Sequence, residues 1–135
     1  MHIKHLGHAE TRSISIAARP AAVLDLLADA RRLPDWAPAF ASAVEPDGPD
    51  WIIYSDGAPL RIRMHVCRDH GTVDLLRPAD PRRGARLRVL PNENGSELVF
   101  TLIFPVGAAS DVIARQMTTV ESELCAVRDL CEAPD

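Results

Sequence analysis

The chain has 135 residues, of which 47% are hydrophobic and 25% charged, and its net charge at pH 7 is −4. This length and composition are typical of one globular domain with a hydrophobic core, and the negative balance argues against nucleic-acid binding, which usually needs a basic surface. No apolar run approaches the roughly 20 residues of a membrane-spanning helix, and the N-terminus is too polar for a signal peptide.

Residues 1–10 are predicted to form an N-terminal extension ahead of a single domain over 11–133. Three histidines in the extension are spaced three residues apart, and on a helix they would share a face that could bind a metal ion. Gly7 weakens such a helix and no cysteine or carboxylate completes a ligand set, so we predict no metal site. The histidines are His2, His5 and His8.

The domain opens with a strand and two short helical segments. Residues 11–17 alternate polar and apolar side chains, which indicates a half-buried strand. Pro20 is suited to the first turn of the amphipathic helix predicted over 20–30. Two prolines then bracket Trp36, so this stretch is predicted as a short helix or turn with Trp36 and Phe40 packing inward.

A series of strands joined by tight turns follows. The stretch 60–67 alternates most clearly, with apolar residues at even positions and mainly polar ones at odd positions. Short connections between successive strands force antiparallel neighbours. The predicted strands cover residues 43–45, 51–55, 60–67, 72–77, 85–89 and 97–104, with breaks predicted at 78–81 and 91–95.

A long helix is predicted over 110–131, where Ser110 and Asp111 suit its first turn. Its apolar residues recur every three or four positions and form one stripe, which an antiparallel sheet could cover. Gln116 and Thr119 lie near this stripe, whereas the charged residues are expected largely off it. The stripe comprises Ile113, Met117, Val120, Leu124, Val127 and Cys131, and the charged residues are Arg115, Glu121, Glu123 and Arg128.

The opening of the chain resembles that of START-related proteins, the SRPBCC superfamily, which includes polyketide cyclase/dehydrase-like and coenzyme Q-binding proteins. The stretches that carry the resemblance are 13–16, 20–29 and 33–38, and the later strands and closing helix agree with it. The resemblance implies an α+β helix-grip fold, in which a curved seven-stranded antiparallel sheet surrounds a long C-terminal helix and a deep hydrophobic cavity. Members bind lipids, sterols, polyketides, isoprenoid quinones or plant hormones, and some are aromatases, cyclases or hydrolases.

Aromatic and methionine side chains are the candidates for a ligand-binding cavity wall, because they suit an apolar ligand of uncertain shape. Each of them could equally fill the hydrophobic core. Phe104 precedes the break at Pro105 and Gly107, which we expect at the cavity mouth. The candidates are Trp36, Phe40, Met64, Phe100, Phe104 and Met117, together with Tyr54 as a polar contact.

Three polar residues are weak catalytic candidates. Tyr54 could hydrogen-bond a ligand carbonyl or reach solvent at a strand end. Arg77 lies on the same face of its predicted strand as apolar neighbours, so it could bind an anionic or enolate oxygen. A position at the rim of the cavity is also expected. His65 could serve as an acid or base, but its parity places it on the outer face, as for Asp74.

We therefore predict a cytoplasmic protein that binds a small hydrophobic ligand such as a lipid, polyketide or isoprenoid, without cofactor. One alternative is a polyketide cyclase or aromatase-like enzyme, in which Tyr54 or Arg77 stabilises an enolate. Another is an interaction module, a homodimer included, whose sheet edge or basic 82–88 face binds protein and whose cavity is small or collapsed. The cytoplasmic prediction rests on three cysteines expected to be reduced and mostly buried: Cys67, Cys125 and Cys131.

Overall fold

The computed structural model of the chain describes residues 5–134, so His2 of the predicted histidine group lies outside the described residues. Seven strands and three α-helices make up this part of the chain, with a 3₁₀ turn at Ala30–Arg32. In chain order they are β1 (His8–Ile16), α1 (Pro20–Leu27), α2 (Leu33–Trp36), β2 (Ala43–Asp47), β3 (Asp50–Tyr54), β4 (Leu60–Cys67), β5 (Thr72–Arg77), β6 (Asp80–Asn92), β7 (Gly95–Phe104) and α3 (Ser110–Glu132).

The strands form one antiparallel sheet in the order β1-β7-β6-β5-β4-β3-β2. Strands β2 to β7 each pair with their sequence neighbours, whereas β1 pairs with the last strand, β7. The predicted helix-grip architecture is confirmed: a seven-stranded antiparallel sheet, two short helices after the first strand and a long closing helix.

Two strands extend further than the sequence pattern predicts. Strand β1 begins at His8, because the backbone of residues 8–10 pairs with the end of β7, where His8 lies opposite Phe104. Strand β6 begins at Asp80 and continues to Asn92, so the predicted breaks at 78–81 and 91–95 are shorter than expected. The β6–β7 turn contains Glu93, which adopts a positive φ of 50°.

The core lies between the sheet and the helices. Helix α3 contacts β1 and β7 at one side of the sheet and also packs against α1 and α2. Among residues 5–134, no helix is both long enough and apolar enough to cross a membrane. The buried residues of the core include Val23, Leu24 and Leu27 of α1, Val73, Leu75, Leu87, Val89, Leu98 and Phe100 of the sheet, and Met117, Val120, Leu124 and Val127 of α3.

Candidate binding cavity

A cavity of about 450 Å³ lies between the sheet and helices α2 and α3. Sites for small molecules are concave, mainly apolar and roughly 300–1,000 Å³ in volume, so this cavity is large enough for one small ligand. Helix α2 and strands β4 to β7 supply the apolar lining. That lining comprises Leu33, Trp36, Ala37, Phe40, Leu60, Ile62, Leu75, Ala85, Phe100, Leu102, Ile103 and Phe104.

A second depression, here called the vestibule, adjoins the cavity near the β3–β4 loop. It shares Phe40, Leu60, Arg77, Gln116 and Glu123 with the cavity lining. The remaining vestibule residues belong to the α2–β2 segment, the β3–β4 loop and helix α3. They are Ala39, Ser55, Ala58, Pro59 and Thr119.

Glu123 of α3 lines both the cavity and the vestibule, although only 7% of its surface is exposed. Within residues 5–134 its carboxyl group has no hydrogen-bond donor and no ion pair. Burial raises the pKa of this carboxyl from 4.5 to about 7, because the apolar surroundings disfavour the charged form. Near neutral pH the cavity therefore holds a carboxyl group that readily gains or loses a proton.

Two further polar side chains lie at the junction of the cavity and the vestibule. Arg77 ends strand β5 and Gln116 lies on α3, and both are exposed. Arg77 forms no salt bridge with any residue of the described part of the chain. Its guanidinium group is thus available to a ligand oxygen near the mouth of the cavity.

Trp36 contributes an aromatic wall and a polar atom that lacks a partner. Helix α2 begins at Leu33 with Pro34 in its first turn, and it places Trp36 against the cavity with 3% of its surface exposed. The indole N–H is buried and finds no acceptor among residues 5–134. A buried donor without an acceptor costs about 1–3 kcal/mol, and this nitrogen has no surface open to the cavity.

Known proteins resemble this chain in structure but not detectably in sequence. No protein-family model matches the sequence, and no curated protein does. An Aha1 dimer from Colwellia psychrerythraea matches with a TM-score of 0.74 at 16% identity, covering 93% of this chain and 96% of that one. A START superfamily protein from Mycobacterium smegmatis matches with a TM-score of 0.70 at 14% identity, covering 93% and 98%.

The Zhui aromatase/cyclase from Streptomyces sp. R1128 also matches, with a TM-score of 0.69 at 17% identity and 93% of each chain covered. The chain therefore shares the helix-grip fold with these structures. The likeness spans nearly the whole chain, whereas the identities are too low to carry over any ligand or catalytic residue. The resemblance seen in the opening stretches of the sequence is thereby confirmed for the fold.

The helix-grip fold brings together five of the residues singled out from the sequence. Trp36, Phe40, Phe100 and Phe104 all contribute to the cavity lining, and Arg77 joins them at its mouth. Their elements are α2, the segment after it, β7 and the end of β5. Contact between a ligand and these side chains stays a prediction.

The other singled-out residues lie outside the cavity lining. Met117 is buried beneath a groove between α3 and β1, and Met64 packs against the core farther along β4 than Ile62. The Tyr54 hydroxyl donates to Glu45 Oε2 at 2.7 Å on the surface, and this bond raises the pKa of Tyr54. His65 is exposed on β4, where it pairs across the strands with Asp74.

Glu123 is the functional candidate that sequence reasoning missed, and the prediction that it lies off the apolar stripe is wrong. Its position between Val120 and Val127, three residues after one and four before the other, places it on the buried face of α3. The spacing alone could have revealed this, but a charged side chain on a long helix is usually solvated.

The prediction that the three cysteines are mostly buried is wrong. Cys67 and Cys125 are exposed and Cys131 is half-buried, and all three are unpaired. Burial raises the pKa of the Cys131 thiol. Across residues 5–134, no three His, Cys, Asp or Glu side chains cluster in a way that could hold a metal ion.

Proposed function

We propose that the protein binds a small, largely apolar ligand, such as a lipid, polyketide or isoprenoid, in the cavity between the sheet and α3. The observation that carries this proposal is a cavity of about 450 Å³ whose wall is mainly aliphatic and aromatic. Burial of apolar surface contributes about 25 cal/mol per Å², so a ligand that buries about 200 Å² would gain about 5 kcal/mol before association costs. The few polar groups at the cavity would then orient the ligand.

The interaction-module alternative receives less support from this geometry, because it predicts a small or collapsed cavity. Two carboxylates also neutralise part of its basic face. Arg82 and Arg83 pair with Asp80, and Arg86 pairs with Asp74 at 3.0 Å. These ion pairs support the expectation that nucleic acid is not a partner. A homodimer and a cytoplasmic location stay predictions, which sedimentation analysis and cell fractionation would check.

A fluorescent apolar probe tests the binding proposal directly. N-phenyl-1-naphthylamine should bind the wild-type protein saturably, at one molecule per chain, with enhanced fluorescence. Ala85 lines the cavity, so Ala85→Phe should fill part of it and weaken probe binding by about tenfold or more. Ala43 lies exposed on strand β2 outside this lining, so Ala43→Phe is the matched control and should leave the affinity unchanged.

Equal probe affinity in wild type and Ala85→Phe would place the bound probe elsewhere and contradict the proposal. The natural ligand can be sought independently by native mass spectrometry of protein purified from its own host, followed by denaturing extraction. A stoichiometric lipid, polyketide or isoprenoid would support the proposal and name the ligand class.

One observation favours an aromatase/cyclase-like enzyme as a second candidate. Glu123 and Arg77 both border the cavity, and they provide an acid–base group with a pKa of about 7 and a cation that could stabilise an enolate oxygen. Tyr54 no longer shares this role, because it lies outside the cavity lining. Incubation with a poly-β-keto thioester should yield a cyclised aromatic product with wild type, and Glu123→Gln should slow its formation by about 100-fold.

A further inference from the structure

We propose that the cavity selects ligands that carry a neutral hydroxyl group, which donates a hydrogen bond to the carboxyl group of Glu123. This inference rests on the proposed function, because it names the polar feature of the ligand that the apolar cavity would bind. Neither the family likeness nor the sequence pattern assigns a role to Glu123.

The first step is that Glu123 lacks a partner within the protein. It is more than nine-tenths buried, it lines the cavity, and no donor or cation of residues 5–134 pairs with it. Buried carboxyl groups ordinarily find a hydrogen-bond donor, since an unsatisfied one is costly. The carboxyl oxygens of Glu123 are not fully enclosed by protein, so the group opens onto the cavity and a ligand donor there can pair with it.

The second step concerns the kind of donor. Arg77 and Glu123 are the ionisable side chains among the described residues that line the cavity and the vestibule. A cationic amine would meet Arg77 at the mouth and would lose its hydration among apolar side chains. An anionic group could pair with Arg77 at the mouth, but beside Glu123 it would meet a like charge. A neutral donor avoids both costs, because it pairs with the carboxyl group without bringing a second charge into the cavity.

The third step favours a hydroxyl group among neutral donors. Gln116 lines the same cavity and vestibule as Glu123, seven residues before it on the same side of α3, and its side-chain amide can donate a hydrogen bond. A hydroxyl group donates one hydrogen bond and its oxygen accepts others, so it can donate to the carboxyl group of Glu123 and accept from the amide of Gln116.

A pair of probes that differ only at the hydroxyl group tests the inference. 2-Naphthol and its methyl ether, 2-methoxynaphthalene, share one apolar body, but only the naphthol can donate. Calorimetry at about pH 8, where Glu123 is mainly ionised, should show wild type binding the naphthol about tenfold or more tightly than the ether. This ratio reports hydroxyl recognition, whereas the affinity for the ether reports apolar binding alone.

Variants of Glu123 should change the ratio in a graded way. Glu123→Leu removes the acceptor and should bring the two affinities to within about twofold of each other. Glu123→Gln keeps a neutral oxygen acceptor and should retain part of the preference. Glu121 lies exposed on the same helix and pairs with Arg12, so Glu121→Gln is the matched control and should keep the wild-type ratio.

The failure of this inference can be told apart from the failure of the proposed function. Equal, measurable affinities of wild type for naphthol and ether would overturn hydroxyl recognition and leave apolar binding intact. A preference that persists unchanged in Glu123→Leu would likewise overturn the role of Glu123. If neither probe bound and N-phenyl-1-naphthylamine also failed to bind, the proposed function itself would be overturned.

Discussion

Gly84 of strand β6 packs directly against the backbone carbonyl oxygen of Leu75 on strand β5. Its φ of +142° lies outside the range that residues with a side chain readily adopt, and a Cβ at this position would collide with the Leu75 oxygen. The contact sits next to the irregular register between Leu76 and Arg77. It therefore helps to set the end of β5 from which Arg77 reaches the cavity mouth.

Replacing Gly84 by alanine should destabilise the fold by about 2 kcal/mol or more, because both the dihedral angle and the close approach exclude a Cβ. Chemical denaturation monitored by circular dichroism measures this change. Gly57 has open space around its Cα, so Gly57→Ala is the control and should change the free energy of unfolding by less than about 1 kcal/mol. Equal effects of the two substitutions would contradict the close approach.

The raised pKa of Glu123 predicts a pH dependence of stability. The folded protein holds the proton up to about pH 7, whereas the unfolded chain releases it near 4.5. Between these values the folded state binds more protons, so stability should fall as the pH rises from 4.5 to 7 and then level off. The full difference is about 3 kcal/mol.

Glu123→Gln removes this titration, so its free energy of unfolding should lack the decline between pH 4.5 and 7 that wild type shows. At about pH 8 the variant should be more stable than wild type by up to about 3 kcal/mol. Urea denaturation of both proteins across this pH range provides the measurement. Parallel pH profiles would show that Glu123 is not the group responsible.

Ser96 anchors the start of β7 to the segment that follows β1. Its side chain is 1% exposed, and its hydroxyl donates to the carbonyl oxygen of Ala18 at 2.7 Å. Ser96→Ala leaves the part-buried carbonyl of Ala18 without this donor and should lower the free energy of unfolding by about 1–2 kcal/mol. Thermal unfolding of Ser13→Ala supplies the comparison, since Ser13 is exposed and should tolerate the change.

Tyr54 offers a test of where ligands bind. Its hydroxyl is engaged with Glu45 on the surface and lies outside the cavity lining. Tyr54→Phe should therefore leave the affinity for N-phenyl-1-naphthylamine within about twofold of wild type. Fluorescence titration measures this value. A loss of about tenfold would show that the ligand extends to Tyr54, as one of the sequence-based hypotheses holds.

The architecture could be predicted because the local patterns of the sequence agree with the way the strands and helices pack. The alternation in 60–67 and the stripe of α3 each identify the face that becomes buried. The length of β6 could not be predicted in the same way. Pro81 and Pro91 are local strand breakers, but here they lie near the two ends of a strand whose partners hold it extended.

The candidate site was only partly predictable, because a cavity is a property of packing between distant elements. The inward direction of Phe100 and Phe104 follows from strand alternation, so these wall residues could be predicted. Met64 has the same alternation, yet it lies beyond the space that α3 leaves open. The spacing of Glu123 from Val120 and Val127 indicates the buried face of α3, but its position beside a cavity depends on how α3 packs against the sheet, which local sequence does not encode.

Strand β1 pairs with β7, so the first strand of the sheet needs the last strand before it can join the sheet. Thr11 and Thr101 share a hydrogen bond at 2.8 Å although they are 90 residues apart. During synthesis, strands β2 to β7 can pair as they emerge, but β1 must wait for β7. Closing so long a loop carries an entropic cost and slows folding. Strand β1, which forms one edge of the finished sheet, therefore stays unpaired until the ribosome has made β7.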